Sequence, residues 1–233
     1  MKPLIVALDV ETEKEALQLT KHLAPWVDLF KVGPSLFLKG GGPLLRDLKK
    51  LGAEIFLDLK FHDIPSVVKR AVERLGEAGV YSATVHTAGG REMLTQAAAV
   101  RKRPKLWGVT VLTSLDEADL RDYGVTRSLP EQVAYLAEQA ARAGLDGVIA
   151  SGGDVKVIKQ AVGSKFIVVT PGIRLPAGQA GVRTNGDDQK RAMTPWEARR
   201  NGADFFVMGR PILEAEDPVQ VVQSIYEKLE VPV

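Results

Sequence analysis

The 233-residue chain contains no cysteine, which at once removes disulfides, thiolate metal centres and a cysteine nucleophile. It also lacks a surplus of one charge, since 31 Lys and Arg face 29 Asp and Glu for a formal net charge of +2. Both signs are spread along the sequence, so there is no basic stripe to neutralise a phosphate backbone, and nucleic acid is not an expected partner. No apolar run approaches the roughly 20 residues that span a bilayer, so no membrane association is expected. The opening Met1-Lys2-Pro3-Leu4 leads straight into strand-like residues rather than a signal peptide, and the cytoplasm is the expected compartment. Of the three histidines, His22 lies in a helical run, His62 in a loop and His86 at a strand end. None has metal-ligand company, so no metal is expected, and His86 reads as a hydrogen-bonded structural residue. Trp26, Trp107 and Trp196 are too widely spaced for a stacking platform and read as packing residues.

What is present is enough apolar residue, 45% of the chain, to bury one full core. Short β-rich runs alternate with amphipathic helical stretches, a pattern that calls for parallel strands joined by helical crossovers. The strands are predicted at Leu4–Leu8, Leu29–Val32, Glu54–Leu57, Ser82–Val85, Leu106–Val111, Gly147–Ala150, Phe166–Val169 and Phe205–Met208. Helical patterns fall between them, among them Lys14–His22, Val67–Glu77, Pro130–Arg142 and Pro195–Asn201. Such a series of βα units predicts a TIM (β/α)8 barrel. A doubly wound open sheet is the alternative, but its first turn should carry a glycine fingerprint where this chain has Asp9-Val10-Glu11-Thr12. No Pro/Gly/Ser-rich linker divides the chain, so residues 1–233 are expected to form a single domain.

Barrel enzymes carry their reactive groups at the C-terminal ends of strands, so what each strand delivers there is the informative reading. Strand 1 ends at Asp9 and strand 2 contains Lys31 before Gly33. After the apolar run Ile55-Phe56-Leu57, strand 3 delivers Asp58 and Lys60, then Asp63-Ile64-Pro65, where Pro65 can open a helix. Alternation along an extended strand would point Asp58 and Lys60 the same way. An acid–base–acid cluster at a strand mouth suggests catalysis, although a structural ion-pair network at the rim is the plainer alternative. Strand 5 leads to Leu112-Thr113-Ser114, which by itself reads equally well as a turn before Asp116. Strands 7 and 8 lead to Pro171-Gly172-Ile173-Arg174 and Gly209-Arg210-Pro211. A glycine for close approach and an arginine for bidentate contact, after the two strands that usually build it, make a barrel phosphate site.

Along nearly its whole length the chain resembles the orotidine 5'-phosphate decarboxylase family. The likeness rests on Ala7-Leu8-Asp9, Lys31-Val32-Gly33, Asp58-x-Lys60-x-x-Asp63-Ile64-Pro65, Leu112-Thr113-Ser114, Thr170-Pro171-Gly172-Ile173-Arg174, Asp188-Gln189-Lys190-Arg191 and Gly209-Arg210-Pro211. The resemblance implies decarboxylation of orotidine 5'-phosphate to uridine 5'-phosphate (UMP) without cofactor or metal. It implies a charged array of Lys31, Asp58, Lys60 and Asp63, with Lys60 as the proton donor, a homodimer in which Asp63 acts across the interface, and substrate contacts from Ile64 and Pro65. It further implies that Asp9 and Lys31 hold the ribose and Thr113 the pyrimidine, while Gln189, Gly209, Arg210 and Arg174 meet the phosphate. The stretch 174–191 would be the closing loop, longer here than the family pattern, with Arg183 expected to face water. Two rivals remain. Sister sugar-phosphate decarboxylases share the Asp-x-Lys-x-x-Asp motif but need a metal and more carboxylates, and Lys31 stands where one would be wanted. A non-catalytic nucleotide-monophosphate sensor would keep the phosphate residues and lose the lysine–aspartate array.

Overall fold

The protein is described by a computed structural model covering residues 1–176 and 193–231. Eight parallel strands close into a barrel in chain order: β1 (Leu4–Ala7), β2 (Leu29–Val32), β3 (Glu54–Phe61), β4 (Ser82–His86), β5 (Lys105–Val109), β6 (Gly147–Ile149), β7 (Ile167–Thr170) and β8 (Phe205–Met208). The pairing of β1 with both β2 and β8 makes the closure. Around it run α1 (Glu13–Leu23), α2 (Pro34–Lys50), α3 (Pro65–Glu77), α4 (Gly90–Ala98), α5 (Glu117–Asp122), α6 (Leu129–Ala143), α7 (Val155–Val162), α8 (Pro195–Arg200), α9 (Arg210–Leu213) and α10 (Pro218–Lys228).

Local chemistry explains the helix starts. Thr12 with Glu15, Ser128 with Glu131 and Thr194 with Glu197 form reciprocal capping boxes at α1, α6 and α8. Pro65 opens α3 at the first helical turn, where its missing N–H costs nothing. One face of each helix packs on the outside of the barrel in a continuous apolar layer.

Inside the barrel a smaller cluster, Ile5, Ala7, Leu29, Phe56, Trp107, Val169 and Val207, fills the lower part. The Trp107 ring meets Phe56 edge-on at 4.7 Å between centroids and lies 5.9 Å from Phe205. Because strand residues alternate between faces, two steps up from these plugging residues reach the mouth. Ala7 leads to Asp9, Leu29 to Lys31, Phe56 to Asp58 and Val207 to Gly209.

The strand expectations hold for β2 and β8 to the residue, and the others shift by one or more positions at one or both ends. Two shifts have physical content. The ladder of β5 stops at Val109 rather than Val111, with Thr110 capping it by bonding the Ile149 carbonyl through both its N–H and hydroxyl. The third strand does not end at Leu57 but continues to Phe61, across an irregularity.

Candidate active site

At the C-terminal mouth of the barrel lies a cavity of about 340 Å3. Asp9, Lys31, Asp58, Lys60, Thr113, Arg174, Gly209 and Arg210 all line it, so the sequence residues from six separate segments converge on one place. Ser114, Pro171 and Gly172 join them, with Val109, Val111, Ile149, Ala150 and Val207 forming the apolar floor and wall.

Two lysine–carboxylate pairs stand in this cavity. The Lys31 ammonium lies 2.9 Å from Asp9 Oδ1, bridging the ends of adjacent strands. Lys31 is largely buried while Asp9 is open to the mouth. A Cβ added at Gly33 or Gly209 would come within 3.4–3.6 Å of this pair, so both glycines leave space directly beside it. The second pair joins Lys60 to Asp58, with the ammonium 3.0 Å from each carboxylate oxygen. Here the carboxylate is the buried member and the ammonium faces the cavity.

The Asp58–Lys60 geometry differs from the simple alternation expected of a strand. Leu57 pairs with Ala83 and Phe61 with Val85, so Asp58, Leu59 and Lys60 all stand opposite the single residue Thr84. Lys60 takes up the extra length with φ of +51°, in the left-handed region that side chains other than glycine seldom enter. Both side chains do reach the same cavity, as expected, but a bulge and not a regular pleat brings them there. Such an outlier at a charged mouth is the signature of a functional constraint.

Asp63, Ile64 and Pro65 stand apart from the other expected residues, because they do not line the cavity of their own chain. Asp63 accepts a 2.6 Å hydrogen bond from the Ile64 N–H at the entry to α3, and the Ile64 side chain is 63% exposed. Arg174 is held at the cavity edge, donating to the Ile173 carbonyl at 3.0 Å, while its own N–H bonds the Met193 carbonyl. Gln189 and most of the expected closing loop, Arg183 included, lie outside the described residues.

The histidine expectation needs correction. His86 is not held by a hydrogen bond at Nδ1, which is buried and meets no partner among the described residues. Its ring instead stacks on His62 at 5.2 Å between centroids. Burial, then the neighbouring His62 and Lys60, push its pKa below the ordinary value of 6.5. Among the described residues no group of three or more His, Asp or Glu side chains is placed to hold a metal ion. Trp107 is core, as expected. Thr84 was missed by sequence reasoning, though strand parity with His86 could have flagged it.

A parallel barrel whose mouth combines lysine–carboxylate pairs with two arginines after strands 7 and 8 has the layout of an enzyme for a phosphorylated substrate. Comparison with known proteins makes this more specific. Residues 2–225 match the model of the family described as "Orotidine 5'-phosphate decarboxylase / HUMPS family", and the chain belongs to that family. The curated orotidine 5'-phosphate decarboxylase of Legionella pneumophila (strain Corby) is 46% identical over 231 residues, covering 97% of this chain and 98% of its own length. That of Dictyoglomus turgidum is 42% identical over 238 residues, covering 98% and 95%. The crystal structure of orotidine 5'-phosphate decarboxylase from Lactobacillus acidophilus superposes with a TM-score of 0.81 at 36% identity, covering 99% of this chain and 100% of that one.

Proposed function

We propose that this chain is a carboxy-lyase that converts orotidine 5'-phosphate to UMP, the step that completes that nucleotide in pyrimidine biosynthesis. The observation that carries the reading is the Lys60 ammonium, held on a strained bulge against a part-buried carboxylate and presented to a cavity with arginines at its edge.

The chemistry asks for this arrangement. Loss of carbon dioxide from a vinylic ring carbon leaves an electron pair with little resonance help. The bond from C6 to the carboxylate breaks, the pair stays on C6, and carbon dioxide departs. The Lys60 ammonium stabilises the developing charge and then gives C6 its proton, after which solvent reprotonates the amine. Preorganised charge in a site shielded from water is usually the largest catalytic contribution. Asp58 orients the ammonium and presents a negative charge toward the substrate carboxylate, which can strain the ground state. No electron leaves the substrate at any point, so the reaction calls for no redox group.

The remaining roles are those that the family resemblance implies. Asp9 and Lys31 hold ribose hydroxyls, Thr113 and Ser114 meet the pyrimidine, and Gly209, Arg210, Arg174 and Gln189 take the phosphate. Phosphate binding remote from the reacting carbon supplies energy for ordering the charged array. Asp63, Ile64 and Pro65 act in the site of a second copy, in a cytoplasmic homodimer with shared active sites. Their position outside their own cavity, together with the exposed Ile64, supports that assignment.

The test is the loss of ultraviolet absorbance when purified protein, treated with chelator, receives orotidine 5'-phosphate. Conversion to UMP is expected. Folded protein that binds UMP yet leaves the substrate intact would overturn the reading in favour of a nucleotide sensor, and activity only on adding a divalent metal and a sugar phosphate would favour the sister decarboxylases.

A further inference from the structure

We propose that Thr84 is a positioning residue for the Lys60–Asp58 pair, one hydroxyl holding both the backbone of the lysine and the carboxylate of its partner. The inference rests on the catalytic reading of Lys60 given above.

The hydroxyl is buried, with Thr84 at 0% exposure. It accepts a 2.8 Å hydrogen bond from the Lys60 N–H and donates one of 3.0 Å to Asp58 Oδ1. Its only proton is therefore committed to the carboxylate, because the lysine N–H supplies the other bond. Two features make this arrangement more than routine satisfaction of polar groups. Thr84 is the single β4 residue opposite the three bulged residues of β3, so the hydroxyl takes over where the ladder is interrupted. It also bonds the residue with positive φ, and strained backbone persists only where its surroundings over-determine it. Asp58 Oδ1 then receives both this hydroxyl and the Lys60 ammonium, which leaves the carboxylate little freedom to rotate.

Threonine suits the task because branching at Cβ restricts its χ1, so the hydroxyl direction is set by the strand itself. Removing the hydroxyl while keeping the shape should let the ammonium and carboxylate drift by a fraction of an ångström. Misplacement on that scale lowers turnover without touching the ribose or phosphate contacts.

The experiment measures kcat, KM and UMP affinity for Thr84→Val, Thr84→Ser and Lys60→Ala, with active sites counted by UMP titration. Thr84→Val should lose roughly 10- to 100-fold in kcat, with KM and UMP affinity within about twofold of the parent. Thr84→Ser, which restores the hydroxyl, should recover kcat to within about threefold. If Thr84→Val does not fold, Thr84→Cys replaces it, since a thiol is a weak donor and acceptor of similar size, and the same loss is expected. Normal kcat in the valine or cysteine variant, with Lys60→Ala inactive, would overturn the role of Thr84 alone. So would a serine variant as slow as the valine one, or a loss shared equally by kcat and UMP affinity. Normal turnover by Lys60→Ala would overturn the mechanism on which the inference stands.

Discussion

His62 and His86 stack face to face, their planes 20° apart, where the charge of Lys60 acts on His86. Burial and the two neighbours favour the neutral form of His86, whose pKa is lowered. Unfolded, the same side chain titrates near 6.5. Between the two values the unfolded chain binds more protons, so stability falls as pH drops below about 6.5 and levels off once the folded-state pKa is passed. Above 6.5 this contribution is fully present. Replacing His86 by Gln should flatten the acid side of a plot of Tm against pH. Parallel curves for the two proteins would show that His86 does not carry this linkage.

In the proposed mechanism, removal of the Lys60 ammonium takes away both the stabilising charge and the proton donor. General acid catalysis and preorganised charge contribute about 10²–10⁴ and about 10²–10³ respectively, so Lys60→Ala should lower kcat by at least ~10⁴. UMP binding, measured by calorimetry, should persist. A loss below tenfold would mean that another group delivers the proton.

The proposal of shared sites gives Asp63 a distinctive expected behaviour. Asp63→Ala and Lys60→Ala proteins should each be nearly inactive alone. On subunit exchange about half the dimers are hybrids with one intact site each, so about a quarter of the parental activity should return. Absence of recovery after exchange proven by mass spectrometry would place Asp63 in its own chain's chemistry.

Away from the site, Gly76 on α3 packs so closely that an added Cβ would run into the Lys102 carbonyl oxygen. That oxygen belongs to backbone and cannot swing away. Gly76→Ala should cost about 2–3 kcal/mol, lowering Tm by roughly 5–10 °C with kcat unchanged. Thermal denaturation decides it, and an unaltered Tm would show that α3 can shift outward without penalty.

Much of this architecture could be read from local pattern. The alternation in Leu29–Val32 and Phe205–Met208 is short-range information, and both strands have the expected limits. Asp9, Lys31 and Gly209 reach the mouth for the same reason, since each follows an inward-facing apolar residue by two steps. What local pattern could not show depends on pairing between distant segments. The conformation of Lys60 arises from the register of β3 on β4, and Thr84 acquires its role only once that register exists. His86 likewise looked like a hydrogen-bonded histidine until the fold set His62 against it. Asp63 and Ile64 are neighbours of Lys60 in sequence, yet the turn into α3 carries them away from the cavity that Lys60 lines.

The aromatic plug formed by Phe56, Trp107 and Phe205 has a consequence for traffic. Trp107 is wholly inaccessible and Phe56 nearly so, which makes the reaction chamber a cul-de-sac with its blind end directly under Asp58. Carbon dioxide set free there has no exit through the bottom of the barrel, and must pass out along the way the nucleotide came in. Departure of the gas and of UMP thus share one doorway, and whatever covers that doorway during the reaction governs the release of both.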